Sequence, residues 1–142
     1  MMGIPNKLFL FVHTIWRVNG AEPCLTKSIR KVLFAHLQKQ AAENGINIMC
    51  VNGVEDHVHC LLRLQAAQNL AQVMKSIKTS SAEWLNGTRL LAGPFEWEEG
   101  FAAYTVSPSG VKAVVDYIEK QEDWHLARTL EDELKIFEDY HF

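Results

Sequence analysis

A strand, a helix, two strands, a second helix and a fourth strand follow one another in the hydrophobic pattern. That order predicts an α+β fold of the ferredoxin-like (RRM-like) kind: an antiparallel sheet with helices on one face, plus a C-terminal helix. Two observations carry the reading. Short apolar runs bounded by Gly, Pro and Asn alternate with longer stretches of helical period. Asn52-Gly53 then joins two of the strands tightly enough to demand an antiparallel return. The 142 residues suffice for one domain, 1–142, with a real core, and no internal repeat, linker or low-complexity tract divides them.

Lys7 to Trp16 is rich in Leu, Phe, Val and Ile and reads as the first strand, with His13 inside it. Asn19-Gly20 and Pro23 break it. Thr26 suits an N-cap, and Ile29, Val32, Leu33, His36, Leu37 and Ala41 then recur at helical spacing until Asn44-Gly45. Ile46 to Val51 is the second strand, and the third begins after the Asn52-Gly53 turn. Asn69 caps a second helix whose apolar side is Leu70, Val73, Met74, Ile77, Trp84 and Leu85, closed by Gly87. Phe95 to Trp97 and Phe101 to Val106 are expected to pair across Glu98-Glu99-Gly100. Ser107-Pro108-Ser109-Gly110 opens the next helix, with serine as the cap and proline at the first helical position. Val111, Val114, Val115 and Ile118 form its apolar stripe, and Tyr117, Gln121 and Trp124 a second stripe beside it. Thr129 and Asp132 resemble a capping box opening a last short helix through Leu134 and Phe137.

Composition is that of a globular protein, 48% hydrophobic and 22% charged. No apolar run approaches the roughly 20 residues a membrane helix needs, and no small-residue cleavage site follows the N-terminal apolar stretch. Cys24, Cys50 and Cys60 are odd in number and lack C-x-x-C spacing, which argues against a disulfide framework and fits a reducing cytoplasm. The net charge of −3 hides an asymmetry. Residues 1–95 carry a balance of +5 and residues 96–142 a balance of −8, a basic body with an acidic tail. A polyanionic partner on one surface is compatible with that division. So is a merely solvated acidic face on the last helices.

Chemistry concentrates at Asp56-His57-Val58-His59-Cys60. On a strand, His57 and His59 point to one face while Val58 and Cys60 point to the core. Two imidazoles on one face, with an aspartate before them, are half of a metal site, although such a pair also occurs on plain solvated sheets. Tyr117 and Gln121, one helical turn apart, form the other half. A phenol titrates near pH ~10, so it needs help as a nucleophile. A metal on the phosphate it attacks supplies that help, and Gln121 offers a neutral carbonyl oxygen as a third ligand. Lys75 and Lys78, near Ser76, Thr79, Ser80 and Ser81, make a basic, hydroxyl-rich surface suited to phosphates.

Together these motifs resemble the single-tyrosine HUH transposases of bacterial insertion sequences, including the REP-associated tyrosine transposases. The resemblance rests on Asp56-His57-Val58-His59-Cys60-Leu61-Leu62 and on the basic helix Val73-Met74-Lys75-Ser76-Ile77-Lys78. It also rests on Phe95 to Phe101 with Tyr104-Thr105-Val106-Ser107, and on Tyr117-Ile118-Glu119-Lys120-Gln121-Glu122 followed by His125. It implies that Tyr117 is the nucleophile and that His57, His59 and Gln121 hold a divalent metal, Mg²⁺ or Mn²⁺. It further implies a homodimer that cuts and rejoins single-stranded DNA near hairpins through a 5′-phosphotyrosine, with tyrosine helices exchanged between subunits. Lys75, Lys78 and Arg17 are the expected DNA contacts, although Arg17-Val18-Asn19-Gly20 is poorer in basic residues than the family's stretch there. Glu98 replaces a common glutamine, and Trp124 precedes His125 where two histidines are common. The alternative is a domesticated or inactive single-stranded nucleic-acid-binding module of the same fold. A second rival is a small metal-dependent hydrolase in which water attacks.

Overall fold

The computed structural model describes Gly3, residues 6–125 and residues 128–139. Four strands form one antiparallel sheet: β1 (Leu10–Arg17), β2 (Asn47–Gly53), β3 (His57–Leu64) and β4 (Ala102–Val106), in the order β2-β3-β1-β4. Among the described residues five α-helices accompany it: α1 (Lys27–Glu43), α2 (Leu70–Thr88), α3 (Val111–Glu119), α4 (Gln121–Trp124) and α5 (Leu130–Asp139). Among the described residues no helix is long and apolar enough to cross a membrane. The α+β architecture expected from the sequence is the one observed.

The two faces of the sheet have different partners because alternation separates them. Trp16, Val58, Cys60 and Leu62 face α1 and α2, which contribute Leu33, Leu37, Met74, Ile77 and Leu85 to the larger core. Each fully buried leucine there contributes about 1.5–3 kcal/mol. Cys60 is wholly enclosed on this face, as its strand position demands. Phe11, Cys50 and Leu61 face the other way, where Ile118 of α3 packs on them. His57 and His59 share that second face with His13. The side of the sheet away from the main core is therefore where the C-terminal helices and the chemistry meet.

Local signals fix the helices. The Thr26 hydroxyl accepts from Ile29 N at 3.4 Å and the Asn69 side chain from Gln72 N at 3.2 Å, as N-caps do. The capping box of α5 is reciprocal: Thr129 N donates to Asp132 at 3.0 Å and Asp132 N to the Thr129 hydroxyl at 3.3 Å.

Four local expectations are corrected. Asn52-Gly53 is not the turn itself, since both residues pair within β2, with His59 and Val58, and the chain turns at 54–56. Gly53 is needed for close approach: a Cβ there would lie 2.3 Å from the His57 carbonyl oxygen. Phe95 to Trp97 does not pair with β4. Trp97 bridges Val18, and β4 runs antiparallel to β1 instead. Gly87 does not close α2, which continues to Thr88 and stops where Arg89 turns left-handed, φ 60°. Tyr117 and Gln121 do not share one helix, because the chain kinks at Lys120 between α3 and α4.

The tightness at Gly53 gives a test. Gly53→Ala pushes on backbone rather than on a side chain that can yield, so it should cost about 1–3 kcal/mol. Urea unfolding measures it. A loss below ~0.5 kcal/mol would mean that β2 and β3 tolerate more separation than the register implies.

Candidate active site

β3 carries His57 and His59 onto the second face, both nearly fully enclosed. Two connections place the tyrosine helix against them. Asn52 on β2 donates to the carbonyls of Ile118 and Glu119, at 2.9 and 3.1 Å, satisfying orphan groups at the end of α3. Buried Arg30 of α1 donates to Leu25 O at 2.7 Å and to Glu122 of α4 at 2.8 Å, anchoring the helix that bears Gln121. The kink at Lys120 leaves the Tyr117 and Gln121 side chains converging despite the broken helix.

They converge on a residue outside the expected set. Glu133 of α5 is completely buried. Its Oε1 lies 3.1 Å from His57 Nε2, 3.1 Å from His59 Nε2 and 2.5 Å from His125 Nε2. Its Oε2 accepts from the Tyr117 hydroxyl and, at 3.2 Å, from Gln121 Nε2. The ligand atoms of His57, His59, His125 and Glu133 all lie within 4.8 Å of one another. The fold thus unites four sequence candidates, Tyr117, His57, His59 and Gln121, and adds His125 and Glu133. Glu133 was legible in one respect. It falls between Leu130 and Leu134 on the apolar side of α5, where a carboxylate needs a partner.

The rings are anchored from behind. His57 Nδ1 lies 2.7 Å from Asp56, His59 Nδ1 2.8 Å from His13 Nε2, and His125 Nδ1 2.7 Å from the Arg128 carbonyl. Burial alone would favour neutral rings. For His57 the bonds to Asp56 and Glu133 outweigh burial and raise its pKa. For His59 burial prevails over Glu133 and lowers it, as burial does for His125 against the Arg128 carbonyl. His13, enclosed and beside His59, is pushed down to about 3. Burial opposes the charge on Glu133 too, yet the bonds from His57 and His59 hold its carboxyl below the ordinary value. The cluster is an anion held among imidazoles.

Of the expected DNA contacts, Lys75 and Lys78 lie away from this cluster on α2, whereas Arg17 sits opposite His57 across the β1–β3 pairing. Arg17 pairs with Glu98 at 2.5 Å and with Glu131 of α5 at 2.8 Å, so carboxylates occupy its guanidinium. Lys78 Nζ donates to the carbonyls of Glu98 and Gly100, at 2.7 and 2.8 Å. With Lys75, Thr79 and Phe101 it lines a groove of about 290 Å³. Tyr117 lies against its own chain's cluster, its ring centroid 5.8 Å from that of His59. Tyr140, another phenol near the C-terminus, lies outside the described residues.

Residues 8–121 match the family model described as transposase IS200 like, which is most of the chain. The protein belongs to the IS200-like transposase family. This IS200-like transposase is 28% identical over 116 residues to the ISDra2 transposase TnpA of Deinococcus radiodurans, spanning 78% of this chain and 83% of that relative. A crystal structure described as a transposase from Deinococcus radiodurans superposes with a TM-score of 0.64 at 22% identity, over 85% of this chain and 98% of that one. A REP-associated tyrosine transposase bound to a REP hairpin superposes with a TM-score of 0.63 at 15% identity, over 89% of this chain and 75% of that one. These two share the fold. Membership places the transposase in DNA recombination by an insertion-sequence type of enzyme.

If Glu133 docks α5, then Glu133→Ala should free that helix. In chelator, amide exchange over 130–139 should approach that of an unfolded segment while β1–β4 stay protected. Unchanged protection would assign the docking to Leu130, Phe137 and the Arg17–Glu131 pair.

Proposed function

We propose that this chain is a metal-dependent transposase and endonuclease that cuts and rejoins single-stranded DNA through a 5′-phosphotyrosine at Tyr117, with DNA hairpins as the recognised feature. The observation that carries the reading is the Tyr117 hydroxyl at the edge of the His57, His59, His125 and Glu133 cluster. In the closing reaction chemistry, Tyr117 Oη forms a bond to phosphorus as the bond from phosphorus to the 3′ oxygen breaks. The phenol loses its proton and the 3′ oxygen gains one, leaving a phosphotyrosine and a free 3′-hydroxyl. Attack by a 3′-hydroxyl on the phosphotyrosine reverses the step and rejoins strands.

The donor set fits a divalent metal. Gln121 Oε1 is buried and has no hydrogen-bond partner among the described residues, an expensive state for a carbonyl oxygen unless something is meant to meet it. His57, His59 and Gln121 would hold the ion, with His125 and Glu133 in reach; imidazole favours Mn²⁺ over Mg²⁺, and the resemblance supports either. Bound there, a divalent ion neutralises phosphate charge and polarises a phosphoryl oxygen. Asp56 keeps the His57 ring oriented, and in the resting chain the Gln121 amide nitrogen donates to Glu133. With the imidazoles turned to the ion, a DNA phosphate takes the place of the Glu133 carboxylate beside the Tyr117 hydroxyl, and α5 moves aside to admit it.

Lys75, Lys78 and Arg17 are proposed as phosphate contacts. Arg17 serves by exchanging Glu131 for a phosphate, which also loosens α5. The family resemblance supports a homodimer in the cytoplasm. A domesticated binding module of the same fold is the second reading; a groove lined by Lys75 and Lys78 suits it as well, and cleavage decides between them.

Tyr117→Phe keeps the ring and removes the hydroxyl. It should abolish the covalent adduct with hairpin-bearing single strands on a denaturing gel, while binding changes less than about threefold. Chelator should abolish the adduct in the unsubstituted protein. An adduct that survives both treatments sinks the assignment. Lys75→Ala should weaken binding of many sequences alike and reduce the slope of log affinity against log salt by about 0.7. An unchanged slope with an altered sequence preference would mean base reading instead.

A further inference from the structure

We propose that His13 is a positioning residue: it holds the His59 ring in the orientation and tautomer that present Nε2 to the metal. The inference rests on the metal reading above and adds a residue to it. His13 sits on β1, diagonal to His59 across the β1–β3 pairing, in which His13 faces Leu61 and Ile15 faces His59. Its ring is 1% exposed. Around it stand Phe137 at 5.1 Å, Tyr117 at 6.2 Å and Tyr104 at 6.4 Å between ring centroids. In that aromatic box its polar link is to His59 Nδ1 at 2.8 Å. A hydrocarbon or phenyl side chain would fill the box without the cost of burying an imidazole. His13 is not itself among the residues whose ligand atoms cluster.

The three clustered rings show what the link does. Each turns Nε2 inward to Glu133 and has Nδ1 tied outward, to Asp56 for His57, to the Arg128 carbonyl for His125 and to His13 for His59. A neutral imidazole has one N–H and one lone pair, so a metal at Nε2 requires the proton on Nδ1 and an acceptor for it. Asp56 and the carbonyl accept in every state. His13 differs, because its Nε2 both accepts and donates. When His59 Nε2–H donates to Glu133, His13 donates to His59 Nδ1. When His59 Nε2 is a ligand, His13 accepts from it. The pair changes between these states without leaving a buried His59 nitrogen unpaired. Outer partners of metal-bound histidines typically change metal affinity roughly 10–100-fold.

The test uses the full chain and Mn²⁺, with free ion read by electron paramagnetic resonance. His13→Leu should weaken Mn²⁺ binding by roughly 10–100-fold. His13→Gln, whose amide both donates and accepts, should recover binding to within about threefold of the parent. Melting in chelator and hairpin DNA binding in chelator should differ little among the three, because a filler of the aromatic box would alter those first. Equal Mn²⁺ affinity in His13→Leu and the parent overturns the inference for His13 while leaving the metal reading intact. A parent protein that binds no Mn²⁺, or binds it equally after His57→Ala, overturns the metal reading itself. If His13→Leu does not fold, the parent alone decides. Loaded with diamagnetic Zn²⁺, its ¹H–¹⁵N spectra should show His59 protonated at Nδ1 with that proton bonded to His13. Zinc on His59 Nδ1, or a His59 Nδ1–H with no link to His13, overturns the proposal.

Discussion

A buried carboxylate must be paired, and the pairing of Glu133 organises the second half of this molecule. The sheet and its two long helices have a core that does not involve it. Tyr117, Gln121, His57, His59 and His125 arrive from three separate segments, and Glu133 is the atom group they share. In the proposed reaction a DNA phosphate replaces that anion, an electrostatically conservative exchange. The acidic tail that looked like a simple charge imbalance is thus tied to the site at Glu133 and, through Glu131, to Arg17. One helix engages both the candidate nucleophile and a candidate DNA-binding cation.

The second constraint is backbone. Asn52 closes the carbonyl end of α3, and Gly53 lets β2 approach the His57 carbonyl. Adjacent residues of one strand therefore fix both the tyrosine helix and the start of the histidine strand. An asparagine-glycine pair that resembles a turn in sequence works here as a clamp.

Much of this was legible beforehand for stated reasons. Period-2 alternation put His57 and His59 on one face and Cys60 on the other. Caps at Thr26, Asn69 and Thr129 marked helix starts that the structure keeps. Strand partners were less legible. Phe95 to Trp97 has the composition of a hairpin arm, but Trp97 instead packs edge-on against Trp16, 5.8 Å between centroids, and donates to Ser81 at 2.9 Å. Tertiary packing decided that segment, and local propensity could not. The kink at Lys120 left no mark in the pattern, because helical spacing alone does not distinguish one helix from two short ones in line. Glu133 was missed because its partners are far away in sequence. A charge on an apolar stripe asks for a partner without naming it. His13 was noticed as a strand histidine, and only the fold gave it a neighbour.

In the proposed reaction Tyr117 attacks a DNA phosphate within a histidine-bound site. The most direct measurement is mass spectrometry of the protein after reaction with a hairpin-bearing single strand and Mn²⁺, followed by nuclease and protease digestion. The account expects a 5′-linked nucleotide on the peptide containing Tyr117, fragmenting to place it on that phenol, and a released strand ending in a 3′-hydroxyl. Cleaved DNA beside an unmodified Tyr117 would contradict it and would leave water, or another side chain, as the attacking group.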